Sequence, residues 1–267
     1  MNCRIRQVLR WQRGAKPVRQ PDALAAEEPL EIQVDTRPVS VTMRTPGHDD
    51  ELAVGFLLGE GLIRSHQDLR AVRPYPRNRA GNAINVLLAE TVRLDFTQLT
   101  RHVFASSSCG VCGKASIAAV HRHFKPIRGK FSVPAEVLLP LPEKLRAAQP
   151  AFDRTGGLHA AALFNQHGEL LVAREDVGRH NAVDKVIGHG LLHDQLPFDR
   201  HILMVSGRAS FEILQKALAA RVPIVCAVSA PSSLAVEFAQ ASGQTLVGFL
   251  RGQQMNVYSR PSRIRFT

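Results

Sequence analysis

The sequence predicts an α/β protein, α+β overall: a small N-terminal α+β domain over residues 1–135 and a second domain with a mostly parallel sheet over residues 136–267. Two observations carry this expectation. Residues 30–96 hold several strand-like stretches around one helical stretch, whereas residues 158–250 alternate strand and helix with apolar Ile/Val/Leu runs. Such runs flanked by helices are the mark of βαβ units whose strands are buried on both faces. Between the halves lies a Pro-rich segment, 132–155, with Pro134, Pro140, Pro142 and Pro150, read as a connection between domains.

Taken in order, Leu30, Ile32 and Val34, then Val39, Val41 and Met43, alternate with polar residues and predict two strands around a turn at Asp35–Pro38. The run from Thr45 to Glu51 then opens a helix, its acidic first turn matching the positive end of the helix dipole. Leu52, Phe56 and Leu57 would face the core. Further strands are expected over 69–74 and 83–96, and a helical stretch around Glu143–Ala148. Leu158–Phe164 and Glu169–Ala173 would pair around Asn165–Gly168. Helices over Ala182–His189, Phe211–Ala220 and Ser233–Ala241 then alternate with strands over Ile202–Val205, Pro223–Val228 and Thr245–Leu250.

In a sheet of this kind ligands bind beyond the carboxyl ends of the strands, where helix N-termini offer free N–H groups. The loops expected there are Glu175–Asn181, Ser206–Ser210, Ser229–Ser233 and Arg251–Gln254. Three of the four contain both Gly and Arg, which suits close approach of backbone to phosphate and forked donation by guanidinium. Helix capping alone would explain any one loop; four at one edge point to a cleft for a phosphate-bearing small molecule. No Walker or G-x-G-x-x-G loop is present, so ATP and NAD are not indicated.

Composition narrows the classes. Hydrophobic residues make up 45% and charged residues 21% of 267, and no run of eighteen apolar residues predicts a membrane span. The Arg-rich first twenty residues lack an apolar stretch, so no secretory signal is read and the cytoplasm is expected. A net charge of +11 favours anionic partners, yet no nucleic-acid-binding motif accompanies it.

Of four cysteines, Cys3 and Cys226 stand alone, and Cys109 and Cys112 form a C-x-x-C. A thiol with pKa about 8.5 is only about 3% thiolate at pH 7. The helical run expected after Cys112, together with Lys114, would lower that pKa, and the preceding serines and flanking glycines suggest an exposed loop. Three readings fit. A thioredoxin-like oxidoreductase would place the pair at a helix start, but after a strand rather than after serines. A zinc site would combine Cys109 and Cys112 with His121 and His123, which sit two apart near a helix end and face different ways. A persulfide carrier needs an accessible low-pKa thiol and a nearby acceptor site.

The chain resembles the formate dehydrogenase accessory sulfurtransferase (FdhD) family over about residues 30–260. The resemblance rests on Gly47-His48-Asp49 followed by Glu51–Leu57, on Ser107–Lys114 around the cysteines, and on Gly156–Ala161. It continues through Arg174–Lys185, Ser206-Gly207-Arg208, Ser229-Ala230-Pro231 and Gly248–Gly252. It implies a carrier that takes sulfur from a cysteine desulfurase and delivers it to the bis-molybdopterin guanine dinucleotide form of the molybdenum cofactor, before that cofactor enters formate dehydrogenase. Cys109 would carry the persulfide and Cys112 assist. Phe249, Leu250, Arg251, Gly252, Gln253 and Gln254 match the stretch assigned to cofactor binding; His180 and Arg208 lie in the matching loops. A homodimer is also implied, with neither nucleic acid nor membrane as partner. A non-catalytic chaperone that only shields the cofactor is the alternative.

The resemblance further implies a cytidine-deaminase-like, three-layer second domain. The deaminase zinc motifs, H-x-E and P-C-x-x-C, are replaced by His180-Asn181-Ala182 and Ser206–Ser210, so no zinc is expected. His180 and His159 could each bond a phosphate or simply cap or satisfy the core; His159 lies in an expected strand.

Overall fold

The computed structural model describes residues 2–75, 81–94 and 117–266. Cys109 and Cys112 fall outside the described residues. Strands β1 (Cys3–Arg10) and β2 (Val18–Ala25) form an antiparallel hairpin that no sequence signal above anticipated. Strands β3 (Glu28–Val34), β4 (Arg37–Arg44), β5 (Leu69–Pro74) and β6 (Ala83–Leu88) form a four-stranded sheet in the order β4-β3-β6-β5. The β3–β4 turn falls at Asp35 and Thr36, both with positive φ, a geometry that matches strand twist. Thr36 is β-branched and disfavours that conformation; its N–H is held by the Asn85 side chain at 3.0 Å. The strand expected over 83–96 stops at Leu88, because Ala89 and Val92 close a turn through a 3.0 Å backbone bond.

Helix α1 (Asp49–Gly59) starts with Asp49, Asp50 and Glu51, as its acidic first turn suggested, with His48 before it in the left-handed region. Leu52 and Leu57 are buried and Phe56 is half-buried. Helix α2 (Ile117–His123) follows the undescribed stretch. Among the described residues no helix is long and apolar enough to cross a membrane.

The second half centres on a six-stranded sheet of β8 (His159–Phe164), β9 (Leu170–Asp176), β10 (Ile202–Val205), β11 (Ile224–Ala227), β12 (Thr245–Arg251) and β13 (Gln254–Ser259). Its order is β13-β12-β11-β10-β8-β9. Only β10–β11 and β11–β12 are parallel, so the sheet is mixed rather than mostly parallel. The tight connections after β8 and after β12 permit only antiparallel hairpins. A further short pair joins β7 (Val133–Pro134) to β14 (Ile264–Arg265).

Alternation along each strand divides the side chains between two apolar layers. Ala161, Leu163, Leu203, Val205, Val225 and Leu246 face one side, in a cluster with helices α6 (Arg179–Leu192), α7 (Phe211–Ala219) and α8 (Ser233–Ser242). Phe164, Met204, Ile224, Cys226, Val247 and Leu250 face the other, against Leu138, Leu141 and Leu145 of helices α3 (Ala135–Leu138) and α4 (Leu141–Ala147). The Pro-rich segment read as a connection therefore supplies one covering layer. Its prolines sit where a missing N–H costs nothing: Pro142 and Pro150 occupy the first turns of α4 and of α5 (Pro150–Thr155).

One cluster of buried apolar residues runs from Leu30 and Leu52 through Val186 to Phe238, so α1 packs on the four-stranded sheet and on α6 together. The two helices cross with their backbones in contact. A Cβ on Gly55 would lie 1.9 Å from the Asp184 carbonyl oxygen, and one on Gly188 would lie 1.8 Å from that of Glu51. Neither position tolerates a side chain unless the helices part. Gly55→Ala and Gly188→Ala are each expected to lower unfolding free energy by about 3 kcal/mol or more. Because both act on one crossing, the double variant should lose less than the sum. Urea unfolding of the three variants checks this.

Candidate functional site

Strands β10, β11 and β12 run the same way and end at one edge of the sheet. Strand β8 is antiparallel to β10 and begins there with His159, which pairs with Asp176 at the end of β9. All four polar loops expected from the sequence, and His159, are thus gathered at a single edge. Backbone bonds tie them together. Ala209 bridges Pro231, Ser232 N–H donates to Ala209 at 3.0 Å, and Phe249 N–H donates to Ser229 at 3.2 Å. Ser206 exchanges two 2.9 Å bonds with Ala160, one through its backbone N–H and one through its hydroxyl oxygen.

Most of the 174–185 stretch builds the scaffold. Arg174 grips Glu51 of α1 with two bonds of 2.5 and 2.6 Å, and His189 Nδ1 lies 2.9 Å from the same carboxylate. Burial pushes the Glu51 carboxyl up, but these partners hold it below the usual range. Glu175 accepts from the N–H groups of Ala151 and Phe152 at the start of α5. Asp176, fully buried, pairs with Lys185 at 2.7 Å and accepts from Thr45 N–H at 3.1 Å. Asp184 pairs with Lys216 at 2.9 Å. Burial pulls the Lys216 ammonium down, yet the Asp184, Glu212 and Glu60 carboxylates raise it above its ordinary range. What remains for the edge is Arg179 and His180, at the start of α6.

His180 is held on both sides. Its Nδ1 lies 3.1 Å from Glu212 Oε2 and its Nε2 lies 2.9 Å from Ser210 Oγ. With Nδ1–H donating to Glu212, Nε2 accepts from the Ser210 hydroxyl, which makes no cap bond to its own helix. Burial lowers the His180 pKa to about 4, with Glu212 opposing the shift and Arg179 adding to it. Burial, Arg179 and Arg208 likewise lower that of His159. Gly207 gives His159 room: a Cβ there would come 3.2 Å from its Nδ1. Glu212 escaped the sequence reading. Its signal was an acid in the first turn of a helix that begins opposite a loop histidine.

The segment Phe249–Gln254 divides. Phe249 adopts a left-handed φ of 51° beside an irregularity in the β12–β13 pairing. The Arg251 guanidinium lies 5.6 Å from its ring centroid. Gly252, with φ 58°, and Gln253 form the hairpin turn, and Arg251 pairs with Gln254 across it, so these two lie in strands and not in a loop. Leu250 is fully buried against the α3–α4 layer, so its side chain braces the segment from behind. Arg208 and Arg251 bring guanidinium groups to an edge whose acids are already engaged, Glu175 by the α5 N–H groups, Asp176 by Lys185 and Glu212 by His180. That donor set fits an anionic, phosphate-bearing ligand.

Of the zinc combination weighed above, His121 Nε2 lies 3.0 Å from Ser242 Oγ and its ring packs on Phe238. Among the described residues no three His, Cys, Asp or Glu side chains are grouped to hold a metal. Cys226 is buried, and burial pushes its thiol up, which keeps it protonated.

The pH behaviour of His180 has a sign. The unfolded chain binds a proton near the ordinary value of 6.5, whereas the folded chain does so only near 4. Folding stability therefore falls as the pH drops from 6.5 towards 4. Between pH 7 and pH 5 the wild type should lose about 2 kcal/mol more than His180→Asn, measured by urea unfolding at each pH.

The sequence profile of the FdhD/NarQ family matches residues 25–265. A protein of Streptomyces coelicolor named sulfur carrier protein FdhD is 50% identical over 271 residues, covering 97% of this chain and 94% of the relative. A protein of Mycobacterium tuberculosis with the same name is 52% identical over 257 residues, covering 92% and 93%. A crystal structure from Desulfotalea psychrophila, described as a formate dehydrogenase accessory protein, superposes with a TM-score of 0.81 at 25% identity, covering 99% of this chain and all of that one. With its profile matched across nearly the whole chain and half its residues shared with such relatives, the chain belongs to the FdhD/NarQ family.

Proposed function

We propose that this chain is a sulfur carrier in the maturation of formate dehydrogenase. The observation that carries the reading is the pairing of Cys109 and Cys112, in Ser-Ser-Cys-Gly-Val-Cys-Gly, with membership of a family whose relatives bear the name sulfur carrier. In this reading the Cys109 thiolate attacks the outer sulfur of a cysteine desulfurase persulfide. The donor's S–S bond breaks, its cysteine leaves as thiolate, and Cys109 holds the sulfane sulfur. Cys112 assists its onward transfer.

The acceptor in this proposal is the molybdenum cofactor in its bis-guanine-dinucleotide form, bound at the sheet edge as substrate. Arg208, Arg251 and the turn Gly252–Gln253 would meet its phosphates, with Phe249, Gln254 and His180 alongside. The gathered loops support this, as do the Arg208 and Arg251 guanidinium groups, which have no acid partner among the described residues. We also propose that the second half keeps a cytidine-deaminase-like arrangement with the zinc site replaced. In support, His180 and Ser210, from the two loops that stand in for the zinc motifs, lie 2.9 Å apart. A homodimer acting in the cytoplasm completes the proposal.

Incubation with a cysteine desulfurase and cysteine should add about one sulfur atom to the intact mass, a gain lost in Cys109→Ala. If the wild type gains no mass, the carrier reading fails; if Cys109→Ala still activates formate dehydrogenase, the protein is a chaperone only. Arg208→Ala and Arg251→Ala should each weaken GDP binding about tenfold by calorimetry, the worth of one charge-assisted contact.

A further inference from the structure

No residue of the β1–β2 hairpin belongs to either cluster of buried apolar residues. Eight residue pairs zip it together, and among the described residues no other strand bonds to it. Ile5, Leu9, Trp11, Val18 and Leu24 are all exposed on it, Ile5, Leu9 and Trp11 to more than 60%. Its residues 3–25 also carry Arg4, Arg6, Arg10, Arg13, Lys16 and Arg19 against Asp22 alone. Among the described residues, Arg4 alone of these cations pairs with an acid, Glu28. A free two-stranded hairpin is marginal in water, and a cluster of exposed apolar side chains ringed by charge marks an interaction surface.

We propose that this hairpin is a docking arm for an acidic groove on the protein that supplies sulfur. The proposal rests on the sulfur-carrier reading. Directly paired residues share a face, so Ile5 and Leu9 lie on one face and Leu24 and Val18 on the other. Both faces therefore mix apolar and cationic side chains. A groove that grips the hairpin on two sides buries both faces, whereas a bilayer surface meets only one. Aliphatic side chains gain nothing on a phosphate backbone, which argues against nucleic acid. A second copy, itself at net charge +11, is a poor match for the arm's cations, so the proposed homodimer would meet through another surface.

The arm also stands at the right place. Its last residue, Ala25, packs beside Gly157, where a Cβ would lie 3.5 Å from the Ala25 side chain, two residues before His159 at the sheet edge. Helix α5 packs on β2. A donor held by the arm sits next to the loops without covering them.

The test uses the full chain and a purified cysteine desulfurase. Two variants, Arg6→Glu/Arg10→Glu/Arg19→Glu and Leu9→Ser/Trp11→Ala, change only side chains at the surface; unchanged melting temperatures verify their fold. Each should weaken desulfurase binding at least about tenfold, and added salt should weaken the wild type and Leu9→Ser/Trp11→Ala but not the charge-reversed variant. Sulfur loading from glutathione persulfide should be unchanged in both. Wild-type affinity in both variants overturns the proposal, as does a loss confined to duplex DNA binding. Failure of the wild type to load from glutathione persulfide would instead strike the carrier reading, leaving the binding data to judge the arm.

Discussion

Everything at the sheet edge depends on how closely helices α1 and α6 cross. Gly55 and Gly188 each leave a main-chain carbonyl of the other helix with no space for a methyl group. That contact seats the four-stranded sheet, through α1, against the six-stranded one, through α6. It also fixes where α6 begins, and Arg179 and His180 stand at that beginning. A crossing loosened by one methyl group would move the scaffold and the edge together, since packed interiors respond to such small changes.

The ion pairs around the crossing are best understood as locators. Arg174–Glu51, Lys185–Asp176 and Lys216–Asp184 link α1, α6, α7 and the end of β9. Buried pairs of this kind add little net stability, but breaking one strands a charge. Their effect is to fix register while engaging Asp176 and Asp184, as the α5 N–H groups engage Glu175. The edge is left with guanidinium groups and a neutral histidine onto which Glu212 is turned, an environment for phosphate.

Much of this was legible in the sequence. Buried strands of the second half announce themselves as apolar runs, and the acidic start of α1 and the turn at Asp35 follow from dipole and strand-twist chemistry. The β8–β9 pair was read from its turn, but the direction of β8 against β10 was not legible, because β8 is buried on both faces and reads like a parallel strand although it runs antiparallel to β10. The hairpin was missed because it borders no core and carries Pro21 inside a strand, which only an edge strand tolerates. The four loops were placed correctly at one edge. Yet the pattern of residues could not separate Leu250, which faces the core, from its neighbours, nor find Glu212, whose part in the site comes through His180.

The central claim is that this one edge, framed by the crossing, is where the ligand binds. Hydrogen–deuterium exchange of the full chain with and without GDP tests it directly. Slower exchange is expected over 206–210 and 249–254 and at the start of α6, with the α3–α4 layer unchanged. Protection confined to that opposite layer, or none at saturating GDP, would contradict it.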